Sequence, residues 1–128
     1  MRIGIPTETL WEERRVVLAP AGVDSLIRAG HTVYIQSGAG DASHFTDQDY
    51  IAIGATIVYS AEEAFGRAEL IAKVAPISNQ EIDYLQENQI LFSFLQLAVG
   101  RRKIVEKLLE SPYINVDETK LNISGINW

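Results

Sequence analysis

Short apolar runs alternate along this chain with segments of helical period, and most of the helical segments open on a recognisable cap. That alternation restricts the fold to an α/β layer architecture: an open, mainly parallel sheet with helices on both faces. The first run is Arg2–Pro6, followed by a long polar loop and then by the segment from Pro20 to Ala29. Val23, Leu26 and Ile27 form its i, i+3, i+4 stripe, Pro20 suits the first helical position, and Gly30 suits a left-handed stop. Thr32–Ile35 reads as the second strand, ending in the tight turn Ser37-Gly38-Ala39-Gly40-Asp41. Thr46 and Asp49 have capping-box spacing and open a helix that stops at Gly54, before a third strand at Thr56–Tyr59.

The second half repeats the pattern. Ser60 and Glu63 open a short helix, Glu69–Val74 reads as a strand ended by Pro76, and Ser78 with Glu81 opens a helix lined by Ile82 and Leu85. Ile90–Leu95 is apolar enough for a central strand covered on both faces, with Phe92 and Phe94 as core. Ile104, Val105, Leu108 and Leu109 make a further helical stripe, and Tyr113–Val116 is a candidate sixth strand. Residues 1–118 form the domain, and 119–128, without a clear period, read as an irregular tail at a truncation.

Composition narrows the function classes. With 17 Asp and Glu against 11 Lys and Arg, the net charge of −6 disfavours phosphate backbones, so nucleic acid is not an expected partner. The chain has no Cys and two His, which excludes thiolate chemistry and thins the supply of metal ligands. No stretch approaches 18 apolar residues and no basic segment precedes an apolar run, so membrane insertion is not expected and a cytoplasmic location is.

Ligands of open parallel sheets bind beyond the carboxyl ends of the strands, near the point where strand order reverses. That edge collects Arg14 and Arg15 from the loop after the first strand, Lys73 at the end of the fourth, and Gln96 just past the fifth. The loop from Thr7 to Ala19 is longer than usual for such a connection. An Arg fork can hold a carboxylate and a Lys can polarise a carbonyl, so an anion pocket is a candidate; solvated surface charge is the competing reading. Lys73 sits in an otherwise apolar run, which favours the pocket. His31 begins the second strand at the opposite edge, a structural position, and His44 has no acid or nucleophile at a telling spacing. Gly38-Ala39-Gly40 follows the second strand, and Ser43 stands where a dinucleotide fingerprint needs its third Gly. The chain shows no nucleotide-binding signature of its own.

Met1–Pro6, then Arg15-Val16-Val17-Leu18-Ala19-Pro20-Ala21-Gly22-Val23, then Ala29-Gly30-His31-Thr32-Val33 resemble the start of the alanine dehydrogenase and nicotinamide nucleotide transhydrogenase family. Ser37–Gly40, Gly54–Val58, Lys73-Val74 before Pro76, and Gln89–Leu95 continue the resemblance in order. It implies a Rossmann-like or flavodoxin-like three-layer sandwich forming the substrate-side, N-terminal domain of an NAD(P)-dependent oxidoreductase. Arg15 would bind a substrate carboxylate and Lys73 its carboxylate or carbonyl, the ligand being a small 2-oxo acid or an amino acid. NAD or NADP would be bound by a downstream domain or a partner subunit, in a homo-oligomer, and the 128 residues alone would show no dehydrogenase turnover. Gln96 stands at the family's catalytic His position. Its amide can donate a hydrogen bond but cannot shuttle a proton near neutral pH, which leaves three alternatives beside alanine dehydrogenase. They are the transhydrogenase alpha subunit, a saccharopine dehydrogenase-like relative (suggested by Trp11–Arg15), and a catalytically degenerate binding or assembly domain.

Overall fold

The computed structural model describes residues 1–93 and 115–116. Six parallel strands, β1 (Arg2–Ile5), β2 (Thr32–Gln36), β3 (Thr56–Val58), β4 (Leu70–Ala72), β5 (Ile90–Phe92) and β6 (Asn115–Val116), form one sheet in the order β3-β2-β1-β4-β5-β6. The chain starts in the middle, builds outward through β2 and β3, and returns to the other side of β1 with β4. The strand order therefore reverses between β1 and β4, with Gly4 opposite Ile71. This is the open parallel α/β sheet expected from the sequence.

Alternation along β1 shows how the two faces are covered. Ile3 and Ile5 point to one side, where they pack with Val33, Ile35 and Ala72 against Val23 of α1 (Pro20–Arg28) and Tyr50 of α2 (Asp47–Ala52). Gly4 points to the other, where a Cβ would lie 2.4 Å from the Ala64 carbonyl oxygen and 2.8 Å from the Ala68 Cβ. Only a residue with no side chain lets α3 (Ala61–Arg67) approach β1 so closely. Phe65, Ile71, Ile77, Ile82 and Leu91 form the second cluster on this face, where α4 (Asn79–Ile82) also packs. Complete burial of a side chain such as Ile5 contributes about 1.5–3 kcal/mol.

The caps follow the residue spacing. Thr46 and Asp49 form a reciprocal capping box on α2, and Ser78 and Glu81 form another on α4. Ser60 accepts from the Glu63 amide as expected, but the Glu63 carboxylate turns to the Tyr59 amide. Buried Gln89 donates to the Phe65 and Ala68 carbonyls at 2.6 and 2.8 Å, satisfying the C-terminal end of α3. The Ser37–Asp41 turn is present, pinned by Asp47, which accepts from the Ser37 hydroxyl and the Gly38 amide. A short 3-10 turn at Asp41–Ser43 follows it, which the sequence reading did not anticipate.

Two expectations need correction. β4 is shorter than Glu69–Val74, so Lys73 lies just past its end. Phe92 is 53% exposed and is not core, and no described helix covers its face of β5. Its register partner is Ala72, on the face of α1 and α2, and those helices pack over β2 and β3. Phe94, the helical stripe of residues 104–109 and the tail of residues 119–128 lie outside the described residues. No described helix is long and apolar enough to cross a membrane.

Candidate functional site

The loops leaving β1 and β4 meet where strand order reverses, and they bring together a buried ion cluster. Lys73, the first residue after β4, is 1% exposed. Its Nζ donates to Glu8 Oε1 at 3.1 Å, across the β1–β4 junction. Glu8 holds the segment after β4 on three donors, because Oε1 also accepts from the Ala75 amide at 3.1 Å and Oε2 from the Val74 amide at 2.9 Å. The second carboxylate is Glu81, whose Oε2 lies 3.0 Å from Nζ. The ammonium therefore sits between two buried carboxylates. Glu81 Oε1 meanwhile accepts from the Ser78 amide at 2.9 Å in the capping box of α4. An ammonium has three N–H donors. Among the described residues these face two carboxylates, Glu8 and Glu81, at 3.1 and 3.0 Å.

Arg15 stands in the same loop system under different conditions. Its guanidinium side chain is 71% exposed and pairs with Glu13 in a two-bond fork, Nε to Oε1 and Nη2 to Oε2, each 3.0 Å. The fork holds the Glu13 carboxyl below the usual range despite some desolvation, and raises the Arg15 guanidinium further above an already high value. Glu8 also acts on Arg15 through its charge, more weakly than Glu13. The Glu13–Arg15 geometry follows from a turn: the Glu13 amide donates to the Leu10 carbonyl, and Glu12 between them has φ 68°. Three further bonds fix the loop. The Thr7 amide donates to Gln36 Oε1, the Ser43 hydroxyl to the Arg14 carbonyl, and the Tyr50 hydroxyl to the Leu18 carbonyl. The Arg14 side chain is exposed.

Of the residues selected from sequence, Arg15 and Lys73 thus occupy one edge of the sheet, with Glu8 as the charge both feel. Gln96 lies outside the described residues. His31 is at the other edge, its Nδ1 3.2 Å from the Met1 amino group, and His44 is an exposed residue in left-handed conformation. Sequence reasoning missed Glu8 and Glu81. Glu81 carried a signal for its cap alone, and Glu8 carried none, since its role depends on β1 and β4 being neighbours. Two more buried oxygens at this edge, Thr7 Oγ1 and Ser93 Oγ, find no hydrogen-bond partner among the described residues. Lys73 follows Ala72, and Ser93 follows Phe92, which is the register partner of Ala72, so lysine and serine leave adjacent strands side by side.

The turn after β1 is Pro6-Thr7-Glu8, with no glycine, and the Glu8 carboxylate already takes the Val74 and Ala75 amides beside that turn. Among the described residues no group of three or more His, Asp or Glu side chains is arranged to hold a metal ion.

Residues 4–118 match the family model described as alanine dehydrogenase/PNT, N-terminal domain. Alanine dehydrogenase of Mycobacterium tuberculosis is 47% identical over 111 residues, covering 87% of this chain and 30% of that protein. Among solved structures, an L-alanine dehydrogenase superposes with a TM-score of 0.81 at 43% identity, covering 86% of this chain and 30% of that one. The transhydrogenase from Sinorhizobium meliloti also gives a TM-score of 0.81, at 25% identity, covering 91% of this chain and 34% of that one. The chain spans less than a third of the length of the curated relatives it matches, from 26% to 31%. By the extent of that match and the level of identity, the chain belongs to the alanine dehydrogenase and transhydrogenase N-terminal domain family.

Proposed function

We propose that this chain is the substrate-side domain of an NAD(P)-dependent oxidoreductase resembling alanine dehydrogenase, and that it binds a small 2-oxo acid or amino acid through Arg15 and Lys73. The observation that carries the reading is Lys73 itself, a buried ammonium beside the point where strand order reverses. Arg15 supplies the complementary part, an exposed fork that binds a carboxylate with two parallel bonds, as it binds Glu13. A ligand carboxylate takes Arg15 in exchange for Glu13 or on the guanidinium's remaining N–H groups, and the ligand carbonyl turns inward to the ammonium. The nicotinamide cofactor, NAD or NADP, belongs to a nucleotide-binding domain or partner subunit outside these residues, and the assembly is a homo-oligomer. The test is calorimetric titration of the protein with pyruvate and with L-alanine. Arg15→Gln is expected to weaken pyruvate binding about 30-fold, the equivalent of roughly 2 kcal/mol for a lost charge-assisted contact. Unchanged affinity would remove Arg15 from the site.

A second reading, the hydride-transferring alpha subunit of a transhydrogenase, is favoured by the match to the Sinorhizobium meliloti protein and by Gln96, which has no proton to relay. Hydride exchange between NADH and an NADP analogue without any dependence on alanine would select it, whereas alanine-dependent reduction of NAD would select the first reading.

A further inference from the structure

We infer that Glu13 is a positioning residue for Arg15: it grips the guanidinium side-on and leaves the end-on edge, Nη1 with Nη2, to the carboxylate of an incoming ligand. The inference rests on the substrate reading of Arg15 given above. A guanidinium is planar and carries five N–H groups in a rigid fork, so it offers two edges that match a carboxylate, one through Nε and an Nη, the other through both Nη atoms. Glu13 takes the first edge: its Oε1 accepts from Nε and its Oε2 from Nη2, each at 3.0 Å. Oε1 also accepts from the Arg15 amide at 2.9 Å, so carboxylate, guanidinium and backbone close on one another within three residues. The Arg15 side chain is 71% exposed and that of Glu13 only 10%, so the carboxylate lies on the protein side of the pair and the guanidinium on the solvent side.

The loop around the pair is itself held. The Glu13 amide donates to the Leu10 carbonyl, and the Ser43 hydroxyl to the Arg14 carbonyl between the two partners. An ion pair with so exposed a cation contributes little to stability, so the fold alone does not account for a two-bond fork. An arginine without such a partner gives up the freedom of a long side chain when a ligand orders it, and Glu13 removes that cost before the ligand arrives. The opposing effect is repulsion between Glu13 and the ligand carboxylate. The two would lie on different edges of one cation at the water boundary, where salt screens them, and the ordering gain outweighs it. The guanidinium also feels the charge of Glu8, the partner of Lys73, which puts the forked arginine at the same sheet edge as the buried cluster.

The test uses the 15N-labelled protein and two readings: the Arg15 side-chain Nε–H resonance and the affinity for pyruvate. As pyruvate is added to the wild type, the Nε–H resonance is expected to keep its place and its protection from exchange, because the fork stays closed. A resonance released by pyruvate overturns the inference, since the ligand then takes the side-on edge in exchange for Glu13. Glu13→Gln is expected to weaken pyruvate about fivefold at an unchanged melting temperature, with no further loss when it is added to Arg15→Gln. Unchanged or tighter binding overturns the inference, because Glu13 would then be a bystander or a competitor. So does an equal added loss in the Arg15→Gln background, where Glu13 would act through the loop and not through the arginine. If Glu13→Gln melts lower, Glu13→Asp keeps the charge and withdraws it by one methylene: the same fivefold loss supports positioning, and unchanged affinity overturns it. Pyruvate that binds wild type and Arg15→Gln alike, or neither, refutes the substrate reading, and acetate then tests the two edges by themselves. Acetate that shifts the Arg15 Nη resonances and leaves Nε–H in place supports the arrangement, and acetate that releases Nε–H or leaves Arg15 untouched overturns it.

Discussion

Glu8 and Lys73, 65 residues apart in sequence, meet at 3.1 Å where β1 and β4 end side by side. Both side chains are almost fully buried, at 5% and 1% exposure, so each is the reason the other can be charged there. Removing one member leaves an uncompensated charge away from water, which is far costlier than losing an exposed pair. Lys73→Met is therefore expected to lower stability by about 3–5 kcal/mol, whereas the combination Lys73→Met, Glu8→Gln, Glu81→Gln recovers most of that loss. Urea denaturation of the three proteins checks both halves, and a single variant as stable as wild type would contradict the buried cluster.

The contact of β1 with α3 gives a steric prediction. A methyl group on Gly4 would meet the Ala64 carbonyl at 2.4 Å, and that atom is helix backbone with no rotamer to change. Gly4→Ala is expected to cost about 1–3 kcal/mol as overpacking. Gly30→Ala tests a different cost, because φ there is 95° and open space surrounds the Cβ position. Its loss of roughly 1–2 kcal/mol is conformational. Thermal unfolding measures each, and hydrogen exchange at α3 separates them, rising in the first variant and not in the second.

Tyr50 sets an alkaline limit. Burial, assisted by the charge of Asp49, pushes its phenol from 10.0 up to about 12, and the hydroxyl donates to Leu18 at 2.8 Å. A phenol that ionises less readily in the folded state contributes stability fully present below pH 10.0, and that stability is lost as pH rises through about 12. Stability measured between those values is expected to fall with pH in the wild type and to fall less in Tyr50→Phe. Equal slopes would mean that another group controls the alkaline limb.

Glu12 carries a smaller strain. Its φ of 68° places a side chain in the left-handed region between Leu10 and Glu13, where a glycine would sit without penalty. Set against glycine's greater freedom when unfolded, Glu12→Gly is expected to gain about 0.5 kcal/mol. Denaturant midpoints check the sign, and the Glu13–Arg15 fork should survive because neither residue is changed.

Much of this architecture was legible from residue order because local devices agree with it. Thr46 with Asp49 and Ser78 with Glu81 mark helix starts that form as spaced, and Gly30 and Gly54 mark stops with φ of 95° and 98°. Lys73 stood out through its apolar neighbours, and Arg15 through family resemblance. Phe92 misled because an apolar run reports hydrophobicity and not which face a neighbouring layer reaches. Glu8 stayed invisible for a related reason: among polar loop residues nothing distinguishes a carboxylate that will be enclosed from one that will be solvated until the strand order is known. Trp11, 87% exposed in the same loop, shows how little residue type alone decides burial there.

The division of labour within Glu81, with one oxygen on the cap of α4 and the other facing Lys73, ties a local element to a distant one. A fluctuation that frays α4 also withdraws half of the negative charge around the ammonium. Position 81 is consequently doubly restricted under mutation: Asp is too short to serve both neighbours, Gln keeps a cap acceptor and drops the charge, and helix strength there cannot drift independently of the lysine.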